Sequence, residues 1–253
     1  MPSDHSKATI ISMAVLAIVA SSALHEGVGH GVTAWLRGDI PTELTSNHLS
    51  DLRPDRWVDA GGTLVNLAVG VVAMAASAAS GGRANLRYFL WILGSINLMD
   101  GAGYFLFSGI LGFGDWQEVI AGLPHYVALR VGMSIFGAGL YFLVVAVIAR
   151  RLRPFCADNP TYSTVGRLPY YAACCFYSFA GAFDPLGIHL LLLSTIPAAF
   201  GGNSGLMWAD ALFPKQATGP TLVVGRQPAW WIAAAVIGIF YILTLGRGIQ
   251  FAH

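Results

Sequence analysis

Apolar runs of about twenty residues recur along this chain, and a run of that length is what one α-helix needs to cross the hydrocarbon core of a bilayer. They extend from Ala8 to Trp35, Gly61 to Ser80, Tyr88 to Phe113, Tyr126 to Ala149, Leu168 to Phe200 and Ala229 to Leu245. Pro185 interrupts the fifth. It removes a backbone donor, so that stretch is either one broken span or two half-helices. The pattern predicts an all-α, polytopic integral membrane bundle of about six spans, with a seventh open, forming a single domain over residues 1–253. Composition agrees. Hydrophobic residues make up 55% of the chain and charged residues 11%, against about 25% charge in ordinary soluble domains. A net charge of +1 implies no strongly charged partner and excludes a basic nucleic-acid-binding face.

The partners expected are therefore the lipid bilayer and whatever lies within it, in a multi-pass location, the cell membrane being the default. A rival reading takes Lys7, Ala8–Val19 and the small residues Ala20–Ala23 as a cleavable signal peptide. An N-terminus on the cytoplasmic side puts eight Lys/Arg inside, against six outside (Lys215 among them), with Arg150, Arg151 and Arg153 as the main inside cluster. Cys156, Cys174 and Cys175 form no CxxC pair and predict neither a disulfide framework nor a zinc cluster.

Ionisable groups inside lipid are costly and demand a reason. Six fall within the apolar runs: His25, Glu26, His30, Asp100, Asp184 and His189. Three of them share the segment LHEGVGHG. Imidazoles and a carboxylate at such close spacing point to a transition-metal site, with zinc the default ion. In the zinc-hydrolase signature HExxH, the histidines are four apart on one helical face and the Glu is the general base. This chain reads His25-Glu26-Gly27-Val28-Gly29-His30, with one residue more. On a regular α-helix His25 and His30 then point about 140° apart. Two arrangements resolve this. A π-bulge can absorb the extra residue, with Gly27 and Gly29 lowering the local resistance to it. Alternatively, Glu26 and His30 hold the metal and His25 plays another part.

An HExxxH segment also binds catalytic zinc in the dipeptidyl peptidase III family, a resemblance confined to that motif. A wider one covers roughly residues 20–110. HEGVGHGVTAWLRG, Gly61-Gly62-Thr63-Leu64-Val65-Asn66 and Asn97-Leu98-Met99-Asp100-Gly101 together resemble the three motifs of the site-2 protease family of intramembrane zinc metalloproteases. The chain departs from that pattern by the extra residue in the first motif, by Thr63 in place of a Pro, and by the lack of a Pro before Asp100. The resemblance implies that Zn²⁺ is held by His25, His30 and Asp100 and that Glu26 is the base. It places Asn66 beside a substrate strand, and we expect Asn66 and Asn97 as substrate or oxyanion groups. The substrate implied is a transmembrane segment of another protein.

Other readings of the same residues stay open. The first motif can be a polar helix–helix contact, and Asp100 can cap a half-helix. Asn66 and Asn97 can be interhelical hydrogen-bonding groups. Asp184 and His189 form a second polar focus: a further ligand, an outer-shell carboxylate, a gate or a capped break. His48 and His125 are expected in solvent, Tyr104 in packing, and Gly201–Gly205 in a loop extending to Gln227. At the level of function, the rivals are an inactive metal-binding protein of the same fold and a proton- or cation-coupled transporter.

Overall fold

The computed structural model describes residues 4–156, 159–213 and 222–251. Lys215 and part of the loop from Gly201 to Gln227 lie outside them. Among the described residues, six helices are long and apolar enough to cross a membrane: Lys7–Arg37, Arg56–Ala79, Ala84–Leu111, Tyr126–Phe155, Gly187–Leu212 and Pro228–Gly246. We number these spans one to six. The protein is an all-α, multi-pass membrane bundle.

Burial separates inner spans from outer ones. The first and third meet at the centre through Ile10, Met13, Ala14 and Ala17 on one side and Trp91, Ile92, Ile96 and Met99 on the other. The fourth span turns Val127, Val131, Ile135, Phe136, Phe142 and Leu143 outward, and the sixth turns Ile232, Val236, Ile239 and Phe240 outward. Apolar side chains on the outside and polar ones within are what a lipid solvent dictates. Aromatic side chains also bond backbone oxygens of neighbouring elements. Tyr88 donates to the Val165 carbonyl (2.6 Å), Trp91 to that of Ile148 (3.1 Å) and Tyr141 to that of Gly202 (2.6 Å).

The fifth apolar stretch resolves into two pieces. A helix over Leu168–Gly181 ends before Asp184-Pro185, and the fifth span starts at Gly187. That span is irregular, with π-helical turns at Leu191–Thr195 and Pro197–Gly202. The candidate span runs on to Leu212; of Gly201–Gly205, expected in a loop, Gly201 and Gly202 close the π-helical turn, Asn203 and Ser204 form a turn, and Gly205 opens the next short helix.

The connection between the first two spans is a small β-hairpin instead of a plain loop. Strands β1 (Pro41–Leu44) and β2 (Leu49–Asp51) pair antiparallel, with a bulge between Pro41 and Glu43. Strand β3 (Ile249–Gln250) adds to the other side of β1, giving the order β2-β1-β3. The turn of this hairpin enters the bundle: Thr45 and Ser46 are fully buried. The Ser46 carbonyl accepts from Ser22 Oγ (2.8 Å) on the first span and from the Tyr177 hydroxyl (3.0 Å). Asp55 then caps the second span by accepting from the Trp57 N–H at 2.8 Å.

Candidate metal centre

Leu24–Val32 is a π-helical segment inside the first span. Its i→i+5 hydrogen bonding brings residues five apart onto one face. His25 and His30 consequently converge, with their Nε2 atoms 3.1 Å apart. Of the two arrangements open from sequence, this is the first. Ligand atoms of His25, Glu26 and His30 all lie within 4.8 Å of one another. The two glycines of the segment have different parts. A Cβ on Gly27 would meet nothing, whereas one on Gly29 would lie 2.4 Å from the Gly62 Cα. Gly29 is therefore there to let the first and second spans touch.

Gly62 faces the imidazoles directly. A Cβ there would stand 2.4 Å from His25 Nε2 and 2.5 Å from His30 Nε2. His30 Nδ1 lies 2.7 Å from the Val58 carbonyl. That pairing makes Nδ1 the donor and leaves the Nε2 lone pair facing the site. The Tyr104 ring stacks on His25 at 5.0 Å between centroids.

The carboxylate that joins the imidazoles is Asp115. Its Oδ2 is 3.3 Å from His25 Nε2 and 3.6 Å from His30 Nε2. Asp115 opens a short helix, Asp115–Ile120, between the third and fourth spans. Gly112 and Gly114, both with positive φ, fold the chain back so that this helix returns over the site. Arg130 secures the reversal by donating to the Gly109 (3.0 Å) and Ile110 (2.7 Å) carbonyls at the end of the third span. Thr63 Oγ1 approaches Asp115 Oδ2 at 3.5 Å.

Asp100 takes a different place. Its Oδ2 accepts from Ser21 Oγ (3.3 Å) and its Oδ1 from Asn203 Nδ2 (3.3 Å). It makes no ion pair with either imidazole, whereas Asp115, which the sequence did not single out, lies against both. Asn66 is buried beside His25, Glu26 and Asp100, with its Oδ1 unpartnered. Asn97 is not brought to the site. Its Nδ2 bonds the Leu93 carbonyl of its own helix (2.8 Å).

The second polar focus divides as well. The Asp184 side chain is fully buried and anchors the hairpin turn. Its Oδ2 accepts from Asn47 Nδ2 (3.0 Å) and lies 3.6 Å from His48 Nδ1, while Oδ1 accepts from the Leu186 N–H (2.9 Å). Thr195 bonds the other end of Asn47 (3.0 Å). His48, expected in solvent, is thus drawn into the interior. His189 stays exposed on the fifth span, apart from this network.

A cavity of about 580 Å³ opens beside the centre. Glu26, His30, Asp100, Tyr104 and Asp115 line its depth, and Leu49 and Asp51 of β2 lie along one side. Glu26 is 4% exposed, and its Oε2 has no hydrogen-bond partner.

No family model, no curated protein and no solved structure matches the chain.

Proposed function

We propose that the protein is an intramembrane zinc metalloprotease of the cell membrane, cleaving transmembrane segments of other proteins, with His25, His30 and Asp115 as the metal donors. One observation carries this reading: three donor atoms stand 3.1, 3.3 and 3.6 Å apart. Tetrahedral zinc with ligands at about 2.0–2.1 Å has ligand–ligand separations of roughly 3.3 Å. Two neutral imidazoles and a carboxylate also suit that ion chemically. The unpartnered Glu26 oxygen and the space that Gly62 leaves for both rings support it further.

When bound, zinc would supply Lewis acidity and lower the pKa of a water toward 7. In this reading Glu26, whose Oε2 is unpartnered, would take a proton from the attacking water as its oxygen adds to the peptide carbonyl carbon. It returns that proton to the amine nitrogen as the C–N bond breaks. Asn66 is the nearby amide for the developing oxyanion. β2 is an edge strand beside the cavity. An unwound substrate segment pairing along it would keep its backbone hydrogen-bonded in apolar surroundings.

The test is elemental analysis together with cleavage of a reconstituted single-span protein. The wild type is expected to carry one zinc and to cleave. Glu26→Gln is expected to keep the zinc and lose cleavage by at least about 100-fold, the range of a general base. Retained cleavage in Glu26→Gln overturns the mechanism, and a zinc-loaded wild type that cleaves nothing favours an inactive metal-binding protein.

The π-helical segment gives a second expectation. A π-bulge is an α-helix with one residue inserted. Val28 is 43% exposed, so its removal costs little packing. Deleting Val28 restores HExxH and is expected to retain zinc. Inserting a glycine after Val28 is expected to abolish it, measured as zinc per chain.

A further inference from the structure

The mouth of the cavity is acidic on three sides. Asp51 comes from β2, Asp59 from the first turns of the second span and Glu118 from the Asp115–Ile120 helix. Asp59 lies within electrostatic reach of both of the others. Among the described residues no Lys or Arg lines this cavity. Arg37 pairs with Asp55 (2.7 Å), Arg56 bonds the Ala121 carbonyl (2.7 Å) and Arg130 bonds its two carbonyls, while Arg53, two residues beyond Asp51, is exposed to solvent. Burial and the neighbouring Asp39 push the Asp51 carboxyl up. The adjoining wall is apolar, built from Leu106, Phe107, Ile110, Leu111 and Phe113. Deeper in the same cavity is the buried, unpartnered Glu26 oxygen, which itself calls for a ligand.

An apolar wall ending in a ring of carboxylates fits one kind of side chain. A long alkyl stem lies along the wall and its cationic head reaches the polar mouth, as lysine and arginine do at membrane interfaces. We propose that this mouth is a subsite for a Lys or Arg side chain at the edge of the substrate's membrane segment, an inference that rests on the proteolytic reading above. The centre would then favour segments with a basic residue close to the unwound region over uniformly apolar ones. A bare metal ion would use the carboxylates but leave the apolar wall without a role.

Binding to the full-length Glu26→Gln protein in detergent tests this without relying on turnover. The probes are three synthetic apolar helical peptides, identical except for one flanking position holding Lys, norleucine or Glu. The Lys peptide is expected to bind about tenfold tighter than the norleucine peptide, the sum of a few half-exposed charge contacts. The Glu peptide is expected to bind weakest. The Lys advantage should shrink to less than twofold in Asp59→Asn/Glu118→Gln, with zinc content unchanged, and in high salt. If the double variant does not fold, Glu118→Gln alone, at an exposed position, is expected to lose part of the advantage. Equal affinities for the Lys and norleucine peptides overturn the subsite, as does calcium binding at the mouth without any peptide preference. Cleavage by the wild type separates the two claims. A Lys preference in binding with no hydrolysis of any peptide sinks the protease and leaves the subsite. Equal binding and equal hydrolysis of the Lys and norleucine peptides does the reverse.

Discussion

Asp115→Ala is expected to strip zinc from the purified protein, while Asp100→Ala leaves most of it in place. Even an outer-shell partner of a zinc ligand is worth about 10–100-fold in affinity, so losing a direct donor should cost at least 100-fold. The geometry separates the two carboxylates. Asp115 Oδ2 lies 3.3 and 3.6 Å from the two imidazole nitrogens, whereas Asp100 is bonded to Ser21 and Asn203. The Asp115 loop is also firmly held. Two left-handed glycines turn it, Arg130 ties it to the third span, and Thr63 stands behind the carboxylate. Metal titration of both variants, with helix content as a folding control, decides the matter. The opposite outcome, an empty Asp100→Ala and a loaded Asp115→Ala, would restore the donor set implied by the family resemblance and leave Asp115 as an outer partner.

That contrast marks how far the sequence could be read. The spans were legible because twenty apolar residues have few uses other than crossing lipid. The convergence of His25, Glu26 and His30 was legible because three ionisable groups within six residues are too costly there to be incidental. The π-helical turn was one of the two arrangements that the five-residue spacing left open. Asp115 was not legible. It stands 85 residues beyond His30, in a polar connection where an aspartate needs no explanation, and only the chain reversal at Gly112–Gly114 brings it back. His48 was hidden for a related reason. A histidine in a hairpin turn belongs in water unless that turn is inserted, and the insertion depends on Asp184, far along the chain. Asp184 itself was marked as important from its cost in lipid, but its partner Asn47 carried no signal. The broken fifth stretch shows the same limit. Pro185 announced the interruption, while the π-helical turn that reaches Gly202, whose carbonyl accepts from Tyr141, carried no signal in the sequence.

Gly62→Ala is the most economical challenge to the centre, since it adds one methyl group and removes no donor. The substitution leaves helical propensity no worse, because alanine is the better helix former. The difficulty is steric and confined to the site. The new Cβ would fall 2.4 Å from His25 Nε2 and 2.5 Å from His30 Nε2, far inside contact distance. Relief requires at least one ring to turn away, because the second span is held against the first by the Gly29–Gly61–Gly62 backbone contact. Overpacking of this sort costs about 1–3 kcal/mol, which a bundle of this size survives. A metal site that needs both nitrogens at 3.1 Å does not. The expected result is a folded protein with a modestly lowered Tm and little or no zinc. Gly27→Ala, in the same segment and facing open space, is expected to match the wild type in both. Zinc bound at wild-type affinity in Gly62→Ala would mean that the imidazoles do not share an ion at that face, and the proposed hydrolytic centre would lose its basis.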